Sequence, residues 1–428
     1  MGSRFVITVN WESLERGRPE EQATFGMIGL AVGDTLLSEA NDFFVDTLRK
    51  EIPLSGYHLA EWFAWNWWRL RWEPRQSGLD WGMAHHLGSI GGGYVWPNLT
   101  LDTDGEFVTL TARPTQRRAA EPLRYLSDAR LTIAALEFEH GVDEFVEKVL
   151  ARLQARGVGK SNLATLWDQL KSERNDCDSQ RFRRLEAMLG RDPDSGEESH
   201  VNTLLADAQS LGESAVEELA CAFGRGAAVP GRAELEELAQ SGCDTKLMTW
   251  SPTTLGLNAS TGDPAWAVGE TAARKLRSHL GRKTDKLEDG LLAGLAGAQP
   301  DILADQPNSG TAPFSFVIAN GDAGKLVLRS RLSVARRFNL ARLIGDKLLS
   351  KADERLLPAL RSESFRQKRQ RAFAAELLCP YDEMKERLAL DLSVDNQEQV
   401  AADFGVSSAV VRTTLVKKRD LAPDWLEF

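Results

Sequence analysis

Two histidines, His85 and His86, stand side by side in the stretch AHHLGSIGGGYVWP, with Gly91, Gly92 and Gly93 close behind. A histidine pair beside a glycine-rich loop is one way to build an acid–base or phosphate-holding site. Adjacent histidines on a helix point apart, however, and the glycine run lacks the lysine of a P-loop. That favours a structural role. An enzyme site at His85 and Gly91–Gly93 is kept as the alternative. The remaining histidines, His58, His140, His200 and His279, are isolated in sequence. The four cysteines make no CxxC pair, which fits thiols in a reducing cytosol.

The second stretch with readable chemistry is QEQVAADFGVSSAVVRTTL, Gln397–Leu415. Ala401, Gly405, Val406 and Val411 fall where a helix-turn-helix needs a small residue, a turn glycine and core apolar groups. Ser407 is placed to cap the second helix. That helix would present Ser408, Arg412 and Thr413, with Lys417, Lys418 and Arg419 beyond to meet phosphates. The same pattern also fits a purely structural helical hairpin, so DNA is a candidate partner and both readings stand.

Charge is unevenly placed. Between Lys325 and Arg371 there are fourteen basic residues against four acidic ones, so this segment carries +10 within a chain whose net charge is −10. Such polarity suggests an anionic partner for one end, contact between the two ends, or a solvated basic face. Composition is that of a soluble globular protein, with 42% hydrophobic and 27% charged residues. No apolar run reaches the roughly 18–20 residues of a membrane span, and the opening residues lack a signal-peptide pattern. A cytoplasmic location is expected.

The elements that must hold these residues read as α+β and multidomain. A mixed α/β part is expected over 1–157, with strands at Arg4–Val9, Phe25–Val32 and Arg130–Phe138. A hairpin should turn at Asp104-Gly105, and helices should span Tyr57–Trp72 and Gly141–Arg156. The tryptophans of the first helix (Trp62, Trp65, Trp67, Trp68 and Trp72) suit a core element, with Arg69 and Arg71 able to stack on them. An all-helical region is expected over 158–300. The last part, 301–428, should open with strands Phe314–Ala319 and Lys325–Ser330 around an Asn320-Gly321-Asp322 turn. A helix capped by Ser333 follows, then a second helix, Ser364–Leu378, stopping at Pro380.

Those last two helices carry a family resemblance. RRFNLARLIGDKLL (Arg336–Leu349) followed by RAFAAELLCP (Arg371–Pro380) is similar to the two signature helices of the ImmA/IrrE zinc peptidases. In that family the first helix bears HExxH, whose histidines at i and i+4 hold zinc while the glutamate accepts a proton from the metal-bound water. The resemblance covers about a quarter of the chain. Aligned on Gly345, it puts Arg342 and Asp346 at the histidine positions, Leu343 at the glutamate, and Arg369 near the third ligand. An arginine side chain has no lone pair to offer a metal at accessible pH, and leucine is no base.

The resemblance therefore implies a zincin-like fold without catalytic residues, metal or cofactor. It would be a binding or regulatory relative, of the kind found in stress response, toxin–antitoxin and phage-defence settings. The former metal cleft would become a basic pocket formed by Arg336, Arg337, Arg342, Asp346, Arg366 and Arg369. Its partner would be a protein or a nucleic acid, and a metallopeptidase with atypical ligands is a further alternative.

Overall fold

The computed structural model describes residues 4–116, 122–224, 227–246, 255–257, 262–321, 323–351 and 353–422. The chain is mixed α+β and divides into two compact units, Met1–Asn202 and Thr203–Phe428. The expected run of middle helices is shared between them. Asn162–Asn175 and Cys177–Met188 fall in the first unit, and Glu213–Phe223, Arg232–Gln240 and Ala265–His279 in the second.

In the first unit, strands β1 (Phe5–Trp11) and β2 (Phe25–Val32) pair antiparallel from Phe5↔Val32 to Trp11↔Gly26. Strand β3 (Ile52–Ser55) pairs with the other edge of β2. Alternation in β1 sends Phe5 and Ile7 inward. Helix α1 (Gly56–Trp72) starts where the Ser55 hydroxyl accepts the His58 amide and ends at Glu73, just before Pro74. It buries Trp62, Trp67 and Trp68, while Trp65 is 53% exposed. Arg71 lies 3.8 Å from the Trp72 ring centre, the stacking expected of it.

Helix α2 (Leu79–His85) leads to a second sheet of β4 (Leu99–Thr103), β5 (Phe107–Ala112) and β6 (Ala129–Ala134). Its first hairpin turns at Asp104-Gly105 as expected, with Gly105 at φ +98°. The strand expected over Arg130–Phe138 stops at Ala134. There the apolar spacing changes to Phe138, Val142, Phe145 and Val149, and helix α3 (Ala135–Ala155) begins. Phe138 stacks on Phe5 with ring centres 5.9 Å apart, joining α3 to β1 in one core.

The second unit is built on a four-stranded antiparallel sheet. Its order is β7 (Cys243–Thr245), β9 (Ala323–Val327), β8 (Ser315–Asn320) and β10 (Leu356–Ala359). The hairpin between β8 and β9 lies where it was expected, though Asp322 of its turn is outside the described residues. Helix α4 (Glu213–Phe223) and helix α5 (Ala265–His279) precede the sheet's central strands, and helix α6 (Ser333–Leu349) follows them.

Ser333 is the first residue of α6, not its cap; the Asp305 carboxylate accepts the Ser333 amide at 2.6 Å and caps it from outside. Helix α7 (Phe365–Leu378) is capped by Ser364, whose hydroxyl accepts the Gln367 amide. Helices α6 and α7 meet at Gly345, where an added Cβ would come within 2.3 Å of the Phe373 ring. Gly269 likewise lets α5 approach the Arg369 carbonyl of α7, which a Cβ would meet at 2.4 Å. Helices α8 (Val394–Phe404) and α9 (Ser408–Lys417) close the unit, joined through Gly405 at φ +65°. Among the described residues no helix is long and apolar enough to cross a membrane.

Candidate functional site

The face of α6 that carries Arg342 and Asp346 turns toward the face of α7 that carries Arg366, Gln367 and Gln370, and all five are buried. Asp346 is wholly out of solvent. Its oxygens accept from Arg366 Nε at 2.9 Å and Nη2 at 2.7 Å, a bidentate pair. Ser350 Oγ donates to the same carboxylate at 3.0 Å. Arg369, the position nearest the third ligand in the resemblance, stands 3.9 Å from Asp346.

The other edge of Arg366 reaches Ser214 Oγ at 3.0 Å and Glu354 Oε2 at 3.1 Å. Glu354 also accepts the Ser214 amide at 3.1 Å, so the N-terminus of α4 is tied into the network. Burial alone would raise the Asp346 pKa. The Arg366 guanidinium outweighs that and holds the carboxyl below its ordinary range.

Arg342 is held differently. One of its terminal nitrogens donates to the Leu360 carbonyl at 2.6 Å and to the side-chain oxygen of Gln367; Gln370 Oε1 lies 3.3 Å away. The two glutamines are themselves fixed, both donating to the Pro358 carbonyl, at 3.1 and 3.0 Å. Burial, then the nearby charge of Arg371, pushes the Arg342 guanidinium down to about 9, still charged at neutral pH.

Glu218, from α4, accepts the hydroxyls of Ser362 at 3.2 Å and Ser364 at 2.7 Å. Burial raises its pKa despite Arg366. Sequence reasoning missed Gln367, Gln370, Glu218 and Glu354. Gln370 was legible in principle, since it lies four residues from Arg366 and three from Gln367 on α7.

The donor set does not suit a divalent cation. Asp346 and Glu354 are both taken up by Arg366, and Arg369 stands 3.9 Å from Asp346, so a cation there would meet like charge in a buried setting. Among the described residues no group of three metal-ligating side chains occurs anywhere.

The structure does not bring all the expected basic residues together. Arg336 donates to the carbonyls of Ile302, Leu328 and Ser330, at 2.6, 3.1 and 2.8 Å. Arg337 donates to the carbonyls of Gly405 and Leu287 and pairs with Asp289. Both are buried structural ties to neighbouring segments, apart from the Arg366–Asp346 pair.

In the C-terminal helix pair, Gly405 makes the turn as expected. Ser407 occupies the cap position, yet its side chain makes no capping bond. Lys418 donates to Glu270 at 2.7 Å and lies over the rings of Trp266 and Tyr381. Thr413, Lys417 and Lys418 line a cavity against α5, α6 and α7, whereas Ser408 and Arg412 do not.

In the first unit, His85 is fully buried. Its ring nitrogens face the Leu101 carbonyl at 2.9 Å and Glu73 at 3.1 Å, and Trp81 stacks on it at 4.2 Å. Arg69 completes this group, donating to Glu73 at 2.7 Å. The ring beside the glycine run is His58, which an added Cβ on Gly92 would approach to 3.2 Å; His86 is held by Asn98 at 2.8 Å. The partners of His85 are thus Leu101, Glu73 and Trp81, and the histidine ring next to Gly92 is His58.

Comparison with protein-family models, with curated proteins and with solved structures found no match for the chain.

Proposed function

We propose that the second unit is a non-catalytic, zincin-like relative of the ImmA/IrrE peptidases that serves as a binding or regulatory module, with a protein as its partner. One observation carries the reading. The two helices that resemble the family's signature pair do face each other, and the space between them is bridged by the Arg366–Asp346 pair and by Arg342 locked onto Leu360 and Gln367. Such a network substitutes side-chain bonds for the metal that ties these helices in the peptidases. It keeps the scaffold and drops the cleavage chemistry.

A protein partner is favoured over nucleic acid because Arg336, Arg337, Arg342 and Arg366 are buried, and Lys418 is engaged by Glu270. Much of the basic segment is therefore interior wiring, unavailable to a phosphate backbone.

The test is made on the purified full-length chain, refolded in excess zinc and then dialysed. Metal content is measured, together with cleavage of an unstructured protein substrate and retention of duplex DNA in a gel. The expected result is sub-stoichiometric zinc, no cleavage and no DNA retention. One tightly held zinc per chain, lost on substituting Asp346, would sink the reading.

A further inference from the structure

A cavity of about 350 Å³ opens between α5, α6, α7 and α9, separate from the Arg366–Asp346 network. That volume is in the range of pockets that take small organic molecules. Its apolar wall includes Trp266, Val334, Phe338 and Val410, and Ala335, Ala372 and Ala375 leave the space between the helices open. Trp266 is 53% exposed, an unusual position for a large indole. At the inner side, the thiol of Cys379 is pushed up to about 12 by burial, so it is a wall of the cavity and no nucleophile.

The charges around the cavity are matched with one exception. Lys418 pairs with Glu270, Glu376 accepts Arg274 at 2.7 Å, and Arg371 donates to the Ser362 carbonyl and to Glu363. Lys417 lines the same cavity and, among the described residues, makes no hydrogen bond or ion pair; Glu363 and Glu270 act on it only at longer range, against the like charges of Arg371 and Lys368. An apolar slot between aromatic rings, with one unmatched ammonium at its rim, has a definite chemical complement.

We infer that this cavity binds a small aromatic carboxylate, its ring lying between Trp266 and Phe338 and its carboxylate meeting Lys417. This is independent of the reading given above for the Arg366–Asp346 network, whose residues do not line the cavity. Alanine at four wall positions, Ala335, Ala372, Ala375 and Ala409, suits a flat group, and the lysine without an ion pair suits a single anionic end.

The probe is 2-naphthoate, titrated calorimetrically into the full-length chain. Octanoate and the uncharged 2-acetylnaphthalene are run beside it. The expected result is saturable binding of 2-naphthoate, with octanoate and the uncharged analogue each weaker by about tenfold or more. Lys417→Met should weaken 2-naphthoate by about tenfold, and Ala375→Leu, which fills the slot, should abolish binding. Lys351→Met, an exposed change outside the cavity, should leave it unaltered. Absence of saturable binding to the unmodified protein, unchanged binding in Lys417→Met, or tighter binding of octanoate would each overturn the inference. If Ala375→Leu fails to fold, the exposed Lys417→Met variant still decides.

Discussion

The guanidinium of Arg366 meets both carboxylate oxygens of Asp346 edge-on, and Asp346 has no exposure to solvent at all. In that setting the charge on each residue is tolerable because of the other. Removing one partner strands a buried ion, which costs about 3–5 kcal/mol, whereas replacing both with apolar groups is often close to neutral. Asp346→Ala should therefore lower the stability of the second unit by about 3–5 kcal/mol. The double variant Asp346→Leu/Arg366→Met should recover only part of that loss, because Glu354 then loses its Arg366 partner. Denaturant unfolding of the single and double variants gives the coupling directly; additive losses would mean that the pair is not what holds these helices.

Glu73 and Glu218 should titrate with opposite effects on stability. Burial would raise Glu73, but His85 and Arg69 outweigh it and hold the carboxyl below its ordinary value of 4.5. Its contribution is present above that value and is lost as pH falls through the folded pKa. Glu73→Gln should thus flatten the acid limb of the first unit's stability profile, read by thermal melts across the acid range.

For Glu218, burial raises the pKa above 4.5. The folded state then holds a proton that the unfolded state releases, so stability is full below 4.5 and falls as pH rises through the folded pKa. Glu218→Gln should remove that decline while keeping an acceptor for Ser362 and Ser364. A decline equally steep in the variant would assign the effect to another group.

Gly345 admits the Phe373 ring at a distance no Cβ could share. Gly345→Ala should therefore destabilise the second unit by about 1–3 kcal/mol through overpacking. Adding Phe373→Leu should return part of it. Unfolding midpoints of the three variants test this, and a neutral Gly345→Ala would show that the helices shift apart freely.

Asp305 caps α6 from a preceding segment, so Asp305→Ala should cost about 1 kcal/mol by leaving the Ser333 amide without its acceptor. Asp305→Asn should retain most of the stability. The comparison separates hydrogen bonding from the charge term.

The longer elements were legible because their periods were long enough to read. Phe25–Val32, Gly56–Trp72 and Phe365–Leu378 lie within a residue or two of expectation. Cys243–Thr245 and Leu356–Ala359 were not seen as strands. Three or four residues carry no period, and both earn their place only by pairing across the sheet.

At the candidate site, Arg342 and Asp346 were visible through helical spacing and the resemblance. Glu218 comes from a distant segment and Glu354 from the irregular stretch after α6, and no local pattern marks either. The predicted cap at Ser333 failed for the same kind of reason: a carboxylate remote in sequence reached the helix end first.

Four arginines of the basic segment point into the protein, where carbonyls, amides and carboxylates neutralise or solvate them. A buried guanidinium holds no mobile anion from the buffer and has none to give up when a polyanion arrives. Any association of this region with an acidic surface should thus weaken with added salt less steeply than its formal charge suggests. Selectivity in such a contact would depend on shape and on the few exposed cations, more than on long-range attraction.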